Sequence, residues 1–381
     1  MNLPKLYAHD KNNNIKVWWV TTDGNVITVH HGQDGGKIQT QFTSCEPKNV
    51  GRANESTSQQ QAESEAQSKW NKQIKKGYVE DKDNIPTNTL PPLAKKYQDA
   101  GHRITWPADV LCKLNGVRCT KFFMQDDEVL FQSRGGDPYP VIESIAQEMK
   151  RKVFDKYPKY VVDCELYSHG MFLEDITSAV KKHNKNTPLL EAHVFDMLDP
   201  DRPDMPWTER YAMYVSILDD WMEGDKVIPV YADTVQSEED MIRIHDRLVD
   251  EGYEGVVIRQ MDETFKFDQR CAGFQKYKIP LSAEFKVVDV LKDKNDGGIP
   301  VCEVKVFDSP DENHITAFKM KTFKAPFAGT HEFRKELFEN RDSFIDGWLT
   351  VDFEQYSKYG IPAKPIGKAF RDMDVDGNPL I

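Results

Sequence analysis

No run of about 18 apolar residues occurs in the 381-residue chain, so no membrane-spanning helix is expected. The N-terminus, Met1-Asn2-Leu3-Pro4-Lys5, has no basic segment leading into an apolar one, so no signal peptide is expected. Cysteine is sparse. Cys45, Cys112, Cys119, Cys164, Cys271 and Cys302 are scattered, with no Cys-x-x-Cys pair and no zinc-type spacing. They read as reduced, small core residues of a cytoplasmic protein. Net positive charge is absent too: the formal charge is −12, which argues against simple coating of nucleic acid. Residues 1–85 hold 11 Lys+Arg against 10 Asp+Glu, so the acid excess lies beyond them. No Gly-x-x-x-x-Gly-Lys-Ser/Thr loop is present, which disfavours a P-loop NTPase, and no kinase glycine loop with a His-Arg-Asp loop appears.

What is present suffices for several cores: 39% apolar residues and seven Trp in a length that predicts two or three domains. Ile15 to Thr22 and Asn25 to His31 are β-type runs separated by Asp23-Gly24, a hairpin signal. A third run spans residues 37–42. Ala62, Ala66, Trp70 and Ile74 recur every fourth residue and predict a helix over residues 57–76, with Gly77 after its end. Residues 79–95, carrying a charge run and Pro86, Pro91 and Pro92, read as a linker.

The next stretch carries the chemistry. Leu111-Cys112-Lys113-Leu114-Asn115-Gly116-Val117-Arg118 reads as two strands joined by Asn-Gly in a hairpin-like reversal. Such a turn would hold the Lys113 amine near the Arg118 guanidinium, where cationic neighbours favour a nucleophilic amine. Further along come Ser133-Arg134, a helical stripe over residues 141–154, and the strand Tyr160 to Tyr167. In that strand Asp163 and Glu165 share a face because strand side chains repeat every second residue. A strand over residues 191–198 carries Phe195-Asp196, and helical patterns follow at 208–222 and 237–250. Glu254-Gly255-Val256-Val257-Ile258-Arg259 is a buried-type strand led by an acid. In Phe274 to Lys278, Lys276 and Lys278 share a strand face. Singly, each has an ordinary reading as a solvated charge or a core aromatic. Jointly they are what phosphoryl chemistry on a nucleotide needs: cations for phosphate oxygens, carboxylates for magnesium, and an attacking group.

The order of these pieces resembles the ATP-dependent DNA ligases of the covalent nucleotidyltransferase superfamily, in a compact phage-like form. The family's Lys-x-Asp-Gly-x-Arg motif stands as Lys113-Leu114-Asn115-Gly116-Val117-Arg118, and its Asp-Gly-Glu-Leu motif as Asp163-Cys164-Glu165-Leu166. Its aromatic strand, Glu-Gly motif and Lys-x-Lys motif stand as Val194-Phe195-Asp196, Glu254-Gly255-Val256-Val257 and Lys276-Tyr277-Lys278. Asn115 replaces an acid and Cys164 a glycine. The resemblance implies that Lys113 attacks the α-phosphorus of ATP. Arg118 and Arg134 would bind ribose and the 5′-phosphate, and Glu165 the ribose or a metal-bound water. Phe195 would stack on adenine, Glu254 (with Glu165) would hold Mg2+ or Mn2+, and Lys276 and Lys278 would neutralise the α-phosphate. Phe370-Arg371-Asp372 is the nearest match to a C-terminal Arg-x-Asp-Lys-type motif, making Arg371 a pyrophosphate-orienting candidate.

The N-terminal segment resembles the WGR module, a nucleic-acid-binding unit, with His31-Gly32-Gln33 where Trp-Gly-Arg would stand. Residues 283–381 show strand runs at 283–290, 301–306, 316–320 and 349–353 and a helix at 332–339, which fit an OB-fold. The expected fold class is therefore α+β and multidomain: a WGR-like module (1–85), an ATP-grasp-like nucleotidyltransferase (adenylation) domain with antiparallel sheets (86–282), and an OB-fold β-barrel (283–381). The expected substrate is nicked duplex DNA, sealed by a monomer without membrane association. Two alternatives stay open: an RNA ligase of the same superfamily, which Asn115 favours, and a non-catalytic nucleic-acid-binding relative.

Overall fold

The computed structural model describes residues 1–10, 14–85, 91–125, 128–267, 269–293, 297–303, 322–374 and 377–380. The chain forms two compact units, one of Met1–Ser168 with Ala179–Tyr277, the other of His169–Ser178 with Lys278–Ile381.

In the first unit, β1 (Leu6–His9), β2 (Ile15–Asp23), β3 (Val26–Gln33) and β4 (Ile38–Ser44) form an antiparallel meander in sequence order. The predicted hairpin is present, with Asp23 opposite Val26 and Gly24 at φ 52°. Helix Ser58–Lys75 starts at a capping box, in which Thr57 accepts from the Gln60 amide and the Gln60 side chain accepts from Thr57. Its small residues Ala62 and Ala66 are fully buried against Leu6, Trp18, Val20 and Ile27. Alanine at these positions lets the helix axis lie close to the sheet. Trp70, one turn on, donates from its indole to the Pro4 carbonyl at 2.9 Å. Gly77 adopts φ 84° after the helix, and the following strand-like residue Val79 exchanges two backbone hydrogen bonds with Tyr7.

Two further sheets frame the site. One runs β12 (Ala232–Val235), β6 (Ala108–Lys113), β13 (Gly255–Arg259), β14 (Arg270–Tyr277), β5 (Leu93–Lys96). The other runs β11 (Val227–Pro229), β10 (Glu191–Leu198), β9 (Val161–Tyr167), β7 (Val117–Gln125), β8 (Glu128–Ser133). The Asn115-Gly116 hairpin does not form. β6 and β7 belong to different sheets, and the chain crosses between them at residues 114–116. Neither Asn115 nor Gly116 has the positive φ that a tight Asn-Gly turn requires. Gly116 instead allows close approach: a Cβ there would lie 2.4 Å from the Leu166 carbonyl oxygen and 2.8 Å from Glu165 Cγ.

Helices Glu143–Met149, Trp207–Leu218 and Glu238–Asp250 follow the predicted patterns, the first continuing as a π-turn over Lys150–Phe154. Ile142, Ile145, Met149 and Val153 are buried. Cys164 fills the core opposite Cys119, and all six cysteines are free.

The second unit holds β15 (Leu281–Lys292), β16 (Gly298–Glu303), β17 (Thr322–Lys324), β18 (Trp348–Phe353) and β19 (Ile366–Arg371), ordered β17-β16-β15-β18-β19. The long β15 pairs with β18 through its first half and with β16 through its second, across an irregularity between Val287 and Asp289. Phe285, Val287, Cys302, Phe323, Leu349 and Phe353 make its core, under helix His331–Glu339. Among the described residues the sheet is not a closed barrel; one parallel bridge, Phe327 to Gly367, joins its two ends. The expected strand at 316–320 and residues 304–306 of another lie outside the described residues, as does Pro86.

Candidate active site

Lys113 ends β6 where β13 begins. Lys113 and Gly255 are direct partners in the ladder, and the Glu254 amide donates to the Lys113 carbonyl at 3.0 Å. This register fixes both side chains, and the Lys113 ammonium forms an ion pair with the Glu254 carboxylate. The partner is thus an acid 141 residues away in sequence, not Arg118.

Arg118 points into the same cavity but is held by Asp163. Its Nε donates to Oδ1 at 3.0 Å and its Nη2 to Oδ2 at 2.6 Å, while Nη1 donates to the Pro92 carbonyl at 3.1 Å. Asp163 is buried, and burial pushes its carboxyl up against the opposing pull of Arg118. Such a bidentate pair fixes a guanidinium in plane and direction. The guanidinium carbon lies 5.4 Å from the centre of the Phe195 ring, so cation and aromatic form one surface. Glu165, two residues beyond Asp163 on β9, faces the cavity. Burial raises its carboxyl to about 7, with Lys113 and Arg118 pulling the other way and Asp163 and Glu254 reinforcing the rise.

These side chains line a cavity enclosing about 880 Å³ including its open mouth, a size typical of small-molecule sites. Its polar wall includes Lys113, Arg118, Arg134, Glu165 and Lys276, and its apolar wall includes Leu111, Phe195, Val257 and Phe274. Arg134 stands in the turn after β8, where Ser133 Oγ accepts from the Gly135 and Asp137 amides. Glu254 reaches the site through its contact with Lys113. Leu114, rather than Asn115, lines the cavity.

Two predicted residues belong to the second unit. β14 ends at Tyr277, so strand alternation does not extend to Lys278; this residue falls in the second unit and pairs with Glu354 at 2.9 Å. Alternation does hold for Phe274 and Lys276, which both line the cavity. Arg371, at the end of β19, pairs with Glu284 of β15 at 3.2 Å within the second unit.

Two arginines of the cavity had no role in the sequence reading, Arg259 and Arg270. Arg259 follows Val257 at a two-residue spacing on β13, a signal that could have marked it. It is buried, donates to Asp196 at 2.8 Å, and stacks 3.8 Å from the Phe274 ring centre. Asp196 also accepts from Arg210 at 2.8 Å. Although burial raises the Asp196 carboxyl, the two guanidiniums hold it below the ordinary value. This buried triad ties β10, β13 and helix Trp207–Leu218 beneath the cavity. Asp109 of β6 completes the support, accepting from the Trp207 indole at 2.8 Å and from Thr234 at 2.7 Å.

Residues 91–278 match the family described as "ATP dependent DNA ligase domain". A DNA ligase of African swine fever virus is 27% identical over 344 residues, covering 86% of this chain and 78% of the viral protein. A second isolate's DNA ligase is 27% identical over 365 residues, covering 91% and 84%. The solved structure named Pmar-Lig_Pre superposes with a TM-score of 0.61 at 18% identity, over 74% of this chain and 68% of that one. A structure from work on Lig E DNA ligases gives 0.55 at 19% identity, over 74% and 98%. These two show a shared fold. With its ligase domain spanning the cavity just described, the chain is an enzyme of the ATP-dependent DNA ligase family.

Proposed function

We propose that this ligase seals nicks in duplex DNA through a lysyl-AMP intermediate on Lys113. The observation that carries the reading is the Lys113–Glu254 pair at the mouth of paired strands, inside a cavity that also presents Arg118, Glu165, Phe195 and Lys276. The Lys113 amine, once it has lost a proton, attacks the α-phosphorus of ATP. A nitrogen–phosphorus bond forms, the bond to the β-phosphate oxygen breaks, and pyrophosphate leaves. An oxygen of the nick's 5′-phosphate then displaces the lysine, and the 3′-hydroxyl displaces AMP. Covalent catalysis of this kind splits one hard step into easier ones. Lys276, Arg118 and Arg134 supply positive charge where phosphoryl charge develops. Phe195 offers the face on which adenine stacks.

Glu165 and Glu254 are hard oxygen donors of the type that Mg2+ or Mn2+ takes. Among the described residues no group of three or more His, Cys, Asp or Glu could hold a metal alone. Two carboxylates fit an ion that completes its shell with nucleotide phosphates and water. Such an ion would supply charge neutralisation at the phosphates.

The three-domain division, with a WGR-like module at 1–85 and an OB-fold at 283–381, is part of the proposal. The four-stranded sheet with one helix supports the former, and the sharply shared β15 in a five-stranded sheet supports the latter. Incubation with α-labelled ATP and magnesium tests the mechanism. The wild type should acquire one label per chain and Lys113→Ala none. Label retained by Lys113→Ala, or label from GTP in preference to ATP, would sink the reading. Sealing of nicked RNA in preference to nicked DNA would move it to the RNA-ligase alternative.

A further inference from the structure

One sheet of the nucleotide cavity is a grid of cross-strand rows. Across β6, β13 and β14 the register sets Lys113 beside Gly255, then Leu111 beside Val257 and Lys276, then Asp109 beside Arg259 and Phe274. Successive rows are two residues apart, about 7 Å along the strands. Lys113 in the first row, Leu111, Val257 and Lys276 in the second, and Arg259 and Phe274 in the third all line the cavity. A base joined through one ribose to a phosphorus at Lys113 reaches the second row, so the third row closes the cavity behind it. The facing sheet contributes Phe195 from β10.

Arg259 ties the two sheets together at that closed end. Its Nη2 donates to Asp196 Oδ2 at 2.8 Å, and Asp196 is the neighbour of Phe195 on β10. The guanidinium carbon lies 3.8 Å from the Phe274 ring centre and 4.6 Å from that of Trp207, and Glu263 stands 3.7 Å from Nη1. One guanidinium thus joins the sheets one residue from Phe195 and two residues from Val257, the walls between which a base would lie. The pair is sealed from solvent, Arg259 being 1% exposed and Asp196 0%. A buried ion pair adds little net stability over apolar residues of the same volume, and its better-attested use is to specify a geometry. A guanidinium suits that use here because it is planar and stacks on rings while its edge bonds a carboxylate, which an ammonium cannot do.

We propose that Arg259 is a positioning residue for the nucleobase: it holds Phe195 and Val257 at the spacing a purine fills and backs Phe274 at the closed end, so that the cavity prefers a purine to a pyrimidine nucleotide. The assignment rests on the ligase reading above, with Phe195 as one wall for the base. The test uses the full chain with Arg259→Lys, which keeps a charge for Asp196 but has no plane to stack, and with Phe274→Leu, which leaves the buried ion pair whole. Self-adenylation is followed with α-labelled ATP and with α-labelled CTP. Affinities for ATP and CTP are measured by calorimetry on a Lys113→Ala background, where nucleotide binds without group transfer. Both variants should raise KM for ATP about fivefold or more, as part of one base-stacking contact is lost. The maximal rate should change little, the mark of lost ground-state binding. The preference for ATP over CTP should shrink by about the same factor in rate and in affinity. Phe274→Leu decides the matter if Arg259→Lys does not fold. Equal losses for ATP and CTP overturn the proposal, because Arg259 then serves the phosphates or the fold at large. So does an ATP preference unchanged in the variants or lacking in the wild type, and so does a lower maximal rate with both KM values intact. A wild type that takes no label while calorimetry shows the graded loss of ATP preference overturns the lysyl-AMP mechanism alone.

Discussion

Asp163 and Asp196 show how two buried acids in one domain divide between site and scaffold. Asp163 directs Arg118 at the cavity through two hydrogen bonds, whereas Asp196 neutralises Arg210 and Arg259 beneath it. Asp163→Asn should retain the shape but loosen Arg118, lowering the self-adenylation rate by about tenfold to a hundredfold, as misplacement of a positioning group does. A rapid-quench measurement of label incorporation reads this directly, and an unchanged rate would deny Arg118 its role. Asp196→Asn leaves buried guanidiniums undercompensated and should cost about 3–5 kcal/mol in denaturant unfolding at pH 7. Its carboxyl is held below 3.8 in the fold. A depressed acid contributes stability that is present above its unfolded value and lost as pH falls through the folded one. The stability gap between wild type and Asp196→Asn should therefore persist down to about pH 4 and narrow below it. A gap that instead widens towards acid would contradict the arrangement.

At the scale of elements, the crossing at residues 114–116 decides the site's geometry. Gly116 passes against the Leu166 carbonyl with no room for a methyl group, so Gly116→Ala must push β7 from β9. A loss of about 1–3 kcal/mol is expected, typical of overpacking, together with slower adenylation because Arg118 and Glu165 sit on those two strands. Wild-type rates in a folded Gly116→Ala protein would refute this. The crossing also marks the boundary of what the sequence made legible. Local periodicity was enough for helix Ser58–Lys75, for the hairpin at Asp23 and Val26, and for strands β9, β10 and β13. β5, β11 and β12, with three or four residues each, contain too few alternations to be recognised. The Asn-Gly pair suggested a hairpin because the partner of Lys113 is distant: Gly255 supplies the ladder, and no local pattern reports such a pairing. For the same reason Glu254 was legible as a candidate acid through the family motif but not as the lysine's counter-ion. The expected strand face shared by Lys276 and Lys278 stops one residue short, because β14 ends at Tyr277.

For the whole molecule, the chain's charge of −12 makes DNA binding a matter of local surfaces rather than overall attraction. The N-terminal module carries a cationic cleft of its own. Its cleft presents His9, Lys16, His31 and Lys76 beside Trp18 and Tyr78. The module has its own core of Leu6, Trp18, Val20, Ile27, Ala62 and Ala66, separate from the residues that line the nucleotide cavity. A side-chain tie from it to the ligase domain is an exposed ion pair, Lys75 with Asp137, and exposed pairs contribute about 0–1 kcal/mol. Little of the nucleotide site's stability therefore depends on it. Deleting residues 1–85 should leave self-adenylation within about fivefold of wild type, since a loss of 1 kcal/mol or less changes an equilibrium by no more than about that factor. The same deletion removes the cationic cleft and should weaken binding to nicked duplex, with a shallower salt dependence as phosphate contacts are lost. Parallel assays of label incorporation and duplex affinity separate the two effects. Equal duplex affinity with and without the module would assign it a role other than DNA binding. Loss of self-adenylation in a folded truncated protein would show that the Lys75–Asp137 contact, next to the Arg134 turn, transmits order into the site after all.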